Sequence, residues 1–300
     1  MEKCSWIRIF LDSKWKHNGI IIGGHGKLIN PCGMCITDDQ TLYVADRGHH
    51  RIMEFKPNAW QGRVVIGGRD LNQLHNPNDV VIDKETNSLI IADQGNRRIL
   101  RWSLNENTQA GEVLIPNISC SNLAIDQEGS IYVSDNVKHE VRRWKKGEKE
   151  GIIVAGGNGQ GRQLNQLNKP TYLFIDHEYS LYITDEENCR VMKWTKDAKQ
   201  GIIVAGNGSA SRNGMNPLSE PTGIYVDRFN QVYIADSHKN RIIRWCEREK
   251  QGCIVVNSDA KKNIRDHLNG LSSLIFDHDG NLYVNDNLND RIIKFEMDFD

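Results

Sequence analysis

The chain contains no apolar run approaching the ~20 residues that a membrane helix needs. Its longest apolar stretches, such as Gly151-Ile-Ile-Val-Ala-Gly-Gly157, have the length of strands. The net charge is only -1 over 300 residues. That balance removes the broad electrostatic case for DNA, because phosphate binding draws on a basic excess. The seven cysteines are an odd number without a disulfide framework. Signal-peptide character is also missing, since Arg8 and Asp12 interrupt any apolar region near the start. A cytoplasmic protein is favoured on that reading, or a secreted one if the N-terminus is incomplete. The sequons at Asn117 and Asn207 shift this little. No Gly-x-Ser-x-Gly elbow or phosphate loop occurs, and Gly156-Gly-Asn-Gly-Gln-Gly161 opens a polar loop rather than a helix. With 38% hydrophobic and 26% charged residues, the composition is that of an ordinary soluble globular chain.

What the sequence does have is a sixfold echo. Six short apolar runs end in Asp: Asp46, Asp93, Asp135, Asp185, Asp236 and Asp286. Nine residues after each Asp stands an aromatic: Phe55, Trp102, Trp144, Trp194, Trp245 and Phe295. Five residues after it stands Arg51, Arg98, Arg190, Arg241 or Arg291, and Glu140 in the third copy. The Asp-to-Asp steps are 47, 42, 50, 51 and 50 residues. A period of this size signals one supersecondary unit repeated along the chain.

Each unit reads as four short strands. In the fifth copy they fall near 222–226, 231–235, 241–246 and 252–256, separated by polar or glycine punctuation. Repeated radially, such units give an all-β fold, a six-bladed β-propeller of four-stranded antiparallel blades. The aromatics are expected to pack between blades, each burying roughly 150–250 Å². The sixth unit runs out after three strands. Gly19-Ile-Ile-Ile-Gly-Gly24 matches the fourth strands elsewhere, so the ring is expected to be closed by this N-terminal strand. Residues 19–300 then form a single propeller, with 1–18 an N-terminal extension or degenerate strand. Trp6-Ile-Arg-Ile-Phe10 also resembles a third strand that would compete with 291–295.

The string Asp-x-x-x-x-Arg-(Ile/Val), an aromatic, then Gly-x-(Ile/Val)-Val-x-Gly-Gly resembles the NHL repeat. Asp236-Ser-His-Lys-Asn-Arg241-Ile242 and Asp46-Arg-Gly-His-His-Arg51-Ile52 carry it, with Pro31, Pro77, Pro170 and Pro221 before the first strands. The resemblance covers roughly residues 19–295. WD-type repeats would need Gly-His and Trp-Asp dipeptides, and Kelch-type repeats a Gly-Gly doublet where this chain has Asp. The third copy departs most, with Glu140 for Arg, Cys120 for Pro and no Gly-Gly after Ile115. The resemblance implies uses as different as protein or RNA docking, ligand sensing and lyase chemistry, and fold alone does not choose among them.

The repeated Asp–Arg pairs, Asp46 with Arg51, Asp93 with Arg98, Asp185 with Arg190, Asp236 with Arg241 and Asp286 with Arg291, read as structural, together with Asp135. An active site is asymmetric, and a sixfold recurrence is not. Function is sought where the repeat varies. His49, His50, Arg69, Arg97, His139, Glu140, Arg162 and Arg212 are the candidate ligand-binding residues, on a moderately basic loop face with an acidic sector at Glu186 and Glu187. No catalytic residue and no cofactor is assigned. Cys32 and Cys35 form a C-x-x-C without a second pair, so they read as buried and inert rather than zinc-binding. Cys246 and Cys253 flank one strand connection and are candidates for a disulfide. The leading expectation is a non-enzymatic scaffold docking a protein or peptide on the loop face, with RNA as the second partner class. The alternative is a channel-mouth lyase or lactonase using a divalent metal.

Overall fold

A computed structural model describes residues 13–16, 18–24, 26–57, 59, 61–68, 73–105, 108, 110–206, 218–246, 252–257 and 267–298. Their strands form six four-stranded antiparallel sheets and one short two-stranded one. Blade 1 is Pro31–Ile36, Leu42–Asp46, Arg51–Phe55 and Arg63–Gly67. Blade 2 is Pro77–Asp83, Ser88–Asp93, Arg98–Ser103 and Glu112–Pro116. Blade 3 is Asn122–Ile125, Ile131–Asp135, Glu140–Trp144 and Ile152–Gly156. Blade 4 is Pro170–Ile175, Leu181–Asp185, Arg190–Trp194 and Ile202–Gly206. Blade 5 is Pro221–Val226, Val232–Asp236, Arg241–Trp245 and Cys253–Asn257. Blade 6 takes Leu271–Phe276, Leu282–Asp286 and Arg291–Phe295 from the end of the chain, and its fourth strand is Ile20–Gly23.

The ring closes as the glycine-flanked N-terminal strand foretells. Ile20 pairs with Lys294 and Ile21 with Ile293, antiparallel. The first strand of each blade touches the first strands of both neighbours, and blade 6 touches blade 1 in the same way. A second tie was not foreseen. Lys14–Trp15 pairs with Met297–Asp298. Trp15 is buried, donates its indole N–H to the Gly280 carbonyl at 2.8 Å, and meets Tyr233 edge-on. The strand-like run 6–10 lies outside the described residues.

Six apolar clusters sit between consecutive blades rather than at a common centre. Between blades 1 and 2, Tyr43, Ile52 and Ile66 meet Val80, Ile91 and Trp102. Between blades 6 and 1, Tyr283 and Ile292 meet Met34, Val44 and Phe55. Every repeat aromatic is buried in such a cluster. Middle-of-stack sheets are covered on both faces, which is why the second strands are apolar throughout apart from their Asp ends and a few small polar residues.

At the opposite end from the Asp loops, tight hairpins join first and second strands. Asp126, Asp176, Asp227 and Asp277 each accept backbone N–H bonds from two and four residues on. This is the Asx-turn habit of Asp, repeated blade by blade. Cys246 and Cys253, offered above as a disulfide pair, are both free thiols. Cys253 pairs across the sheet with Arg244 instead, so the register keeps Cys246 beyond its reach.

Candidate functional site

All six strand-ending Asp residues are buried. In five blades one carboxylate oxygen accepts a backbone N–H from the loop entering the blade, namely Ile29, His75, Asn168, Ser219 and Asn269, at 2.6–2.8 Å. The other oxygen takes the Nε–H of the Arg five residues on, at 2.6–2.9 Å. The guanidinium then reaches carbonyls of the same entry loop. Arg190 donates to Arg162, Gln163 and Gln166, and Arg291 to His267. These charge-assisted bonds sew the two loop sets of one face together. Burial alone pushes the Asp185 and Asp236 carboxyls up, against the pull of those partners.

Blade 3 does this differently. Glu140 cannot pair with Asp135, so Asp135 accepts the N–H groups of Val137 and Lys138 at 3.0 and 2.9 Å. Glu140 is buried and turns to Arg142, whose Nε lies 2.6 Å away.

The residue four after each Asp is left-handed, with φ between 49° and 57° at His50, Arg97, His139, Cys189, Asn240 and Asp290. Asn, Asp and His tolerate that conformation better than most residues. Their side chains then span the junction to the next blade. Asn76 N–H donates to His50 Nδ1 at 3.0 Å, and Lys169 N–H to His139 Nδ1 at 3.0 Å. Gly270 donates to Asn240 at 2.8 Å and Asn30 to Asp290 at 2.7 Å. The Glu220 N–H faces the Cys189 thiol in the same way. Arg97 is the exception. It is exposed, and its carbonyl rather than its side chain accepts the next blade's N–H, from Ile118.

Among the described residues, the candidates picked from sequence variation stand at separate blade junctions. His50 and His139 clasp blades, and Glu140 is bound to Arg142. His49 Nδ1 lies 2.9 Å from Asp46, and Arg162 is exposed. Arg69 and Arg212 lie outside the described residues. The acidic sector is partly neutralised, since Lys169 pairs with Glu186 and lies 3.5 Å from Glu187.

Unlike groups converge instead on the first strands, around the axis. The slot two after each blade's Pro position holds Gly33, Asp79, Asn122, Tyr172, Gly223 and Ser273. Asp79 Oδ2 accepts the Asn122 side-chain amide at 2.6 Å and Leu123 N–H at 2.9 Å. Asn122 in turn accepts Leu173 N–H at 2.9 Å, which links blades 2, 3 and 4. Asp79 is 4% exposed. Burial pushes its carboxyl up to about 7, against the pull of these donors.

Tyr172 starts from blade 4 and crosses the axis. It reaches Ser272 of blade 6 and lies in the field of Arg47 and Cys32 of blade 1, which is opposite in the ring. Burial raises its phenol well above the usual range. Ser272 donates to the Pro31 carbonyl at 3.1 Å, and Asn287 donates to the same carbonyl at 2.7 Å. Arg47 completes the group, hydrogen-bonded to Gln94 at 3.3 Å and to the Cys32 thiol. Burial lifts that thiol to about 11, with Arg47 opposing, so it is protonated and a poor nucleophile at neutral pH. Arg47 has no carboxylate partner among the described residues. Nor do three His, Cys, Asp or Glu side chains come together as a ligand set among them. The residues at the axis do not fit a His-bound divalent metal.

A family model for the NHL repeat matches residues 28–55, which hold the first two strands, the Asp46 loop and the third strand of blade 1. The other five blades repeat that geometry. Residues 28–55 thus match an NHL repeat within a six-bladed β-propeller. This propeller is similar in fold to several solved structures. A gluconolactonase from Xanthomonas campestris superposes with TM-score 0.68 at 13% identity, covering 97% of this chain and 99% of that one. A streptogramin B lyase gives 0.65 at 10% identity, covering 94% and 98%. An auxiliary nutrient binding protein from Bacteroides thetaiotaomicron gives 0.70 at 13%, covering 90% and 69%. At these identities the likeness establishes the shared fold and nothing finer.

Proposed function

We propose that this propeller is a binding module that docks a protein or peptide on its Asp-loop face, seating an acidic group of the partner at the channel mouth. The observation that carries the reading is Arg47. It is a half-buried guanidinium held in place by Gln94 and Cys32, with no carboxylate beside it among the described residues. A planar fork of donors left without an acid suits a carboxylate. Tyr172, bonded to Ser272 and in the field of Arg47, adds a phenol to the same end of the axis. The solved neighbours named as a streptogramin B lyase and a gluconolactonase share only the fold with this chain, at 10% and 13% identity.

The test is an array of immobilised peptides bearing Asp or Glu, each matched to its Asn or Gln counterpart, probed with wild-type protein and with Arg47→Gln. Acid-selective binding that Arg47→Gln loses is expected. Equal binding by the two proteins overturns the reading. So does salt-dependent capture of a labelled single-stranded RNA in preference to the peptides. Metal-dependent hydrolysis of a lactone by the purified protein would overturn it in favour of an enzyme.

A further inference from the structure

The repeat places a basic residue eight after each strand-ending Asp in blades 2 to 6: Arg101, Arg143, Lys193, Arg244 and Lys294. Four of these face the carboxylate of their own hairpin. Arg101 lies 3.8 Å from Asp83, Lys193 3.6 Å from Asp176 and Lys294 3.7 Å from Asp277. Arg244 lies in the field of Asp227. Arg143 breaks the rule. Asp126 is occupied by Glu128 N–H, Ser130 N–H and the Tyr132 hydroxyl. Arg143 is hydrogen-bonded to that hydroxyl and makes no ion pair among the described residues; its Nε, like that of Arg101, is buried without a hydrogen-bond partner. The missing carboxylate, rather than the unpaired Nε, sets Arg143 apart from its counterparts in the sister blades.

Arg143 lines a cavity of about 320 Å³ between blades 3 and 4. That volume lies in the range of single small-ligand sites, roughly 300–1,000 Å³. Its apolar wall includes Ile152, Ile153, Leu181 and Trp194. Ile152 and Ile153 are 50% and 45% exposed, as the outer strands also leave Ile202 and Ile203 in blade 4. Lys196 and Lys199 stand at the rim, against one acid, Asp197. Lys196 is held 4.6 Å over the Tyr179 ring rather than by a carboxylate.

We propose that this cavity binds a small amphipathic organic anion, with its carboxylate on Arg143 and a flat apolar body against Ile152, Ile153 and Trp194. The anion takes the place that the hairpin Asp holds in the sister blades. The apolar wall selects against simple inorganic anions, and the cationic rim against neutral hydrocarbons. The site lies at the outer side of the ring and is independent of Arg47 and the channel mouth.

Isothermal titration of the intact protein with naphthoate, and with the neutral naphthamide, tests this. Saturable naphthoate binding, tighter than that of the amide, is expected. Arg143→Gln should weaken it about tenfold or more, the scale of one charge-assisted contact. Ile153→Asp should abolish it, and Arg47→Gln should leave it unchanged. Circular dichroism and melting curves confirm that each variant is folded. Absence of saturable binding, equal binding of the amide, or wild-type affinity in folded Arg143→Gln overturns the proposal. Loss in Arg47→Gln alone would place the ligand at the channel mouth and also overturn it.

Discussion

The backbone N–H of Lys169 donates to Nδ1 of His139 at 3.0 Å, across the junction between blades 3 and 4. The ring nitrogen is therefore an acceptor, and the imidazole carries its proton on Nε2. The same duty falls to His50, Asn240 and Asp290 at other junctions. What these residues share is not acid–base chemistry but an acceptor on a short side chain and tolerance of a left-handed backbone.

His139→Asn should accordingly be mild, because Asn240 performs the same task unaided. His139→Ala leaves the Lys169 N–H unpaired and should cost about 1–2 kcal/mol. Urea denaturation of the two variants against wild type reads the difference directly. Equal losses would show that the imidazole ring, not its acceptor, matters.

Gly33 and Asp79 should couple strongly. A Cβ at Gly33 would lie 1.7 Å from Asp79 Oδ1 and 2.7 Å from its Cα. Gly33→Ala should therefore destabilise the ring by about 2–3 kcal/mol, the scale of overpacking a close contact. Adding Asp79→Ala removes the side-chain clash but not the backbone approach. The double variant should recover part of the loss, and a double-mutant cycle measures how much. Strict additivity would contradict the observed packing.

Stability should fall as pH rises from 5 to 8. Burial lifts the Asp79 carboxyl to about 7 in the folded chain, above its unfolded value. The folded state thus keeps a proton that the unfolded state releases. That contribution is whole below the unfolded value near ~4 and is lost as pH climbs through the folded one. Over this span Asp79 should account for roughly 2–3 kcal/mol. Asp79→Asn should flatten the slope, leaving the weaker dependence of Asp185, Asp236 and Glu186, which burial raises as well. Denaturation curves at four pH values decide it, and an unchanged slope in Asp79→Asn would be the contrary result.

The N-terminal ties should matter out of proportion to their length. Trp15→Ala removes a buried indole and its bond to Gly280, and should cost about 3–5 kcal/mol. Deleting residues 1–24 removes the fourth strand of blade 6 as well, and should lower the melting temperature further. Calorimetry on the three proteins orders them, and a deletion that melts with wild type would contradict the pairing of Ile20 with Lys294.

The ring itself was legible because its signal is periodic. Asp46 and Phe55 mean little alone, but their six echoes establish a unit. The closing strand was legible too, because 19–24 carries the glycine-bounded pattern of the fourth strands. The axis was not. Arg47, Cys32, Asp79, Tyr172 and Ser272 come from four blades and lie up to 240 residues apart (272 − 32). Nothing local distinguishes a strand residue that faces the channel from one that faces a neighbouring blade. The trace that exists is variation at one slot, two after each blade's Pro position, where Gly, Asp, Asn, Tyr and Ser alternate. The histidines illustrate the same point, since His50 and His139 also bond the next blade. Sequence shows which residues differ between copies, but not whether a difference meets a ligand or the next blade.

Blade 6 joins residues 20–23 to strands far along the sequence, and the order of synthesis matters to it. A ribosome emits residues 20–23 long before their partners 291–295. Until then the first-made strand has no sheet to join, and the growing array keeps two open edges. Closure is a single long-range event of high sequence separation, the kind that slows folding and exposes intermediates to aggregation. A chain truncated before residue 291 loses the third strand of blade 6 and the pairing that holds the fourth. The seam thus delays the circle, which can shut only once residues 291–295 have been emitted.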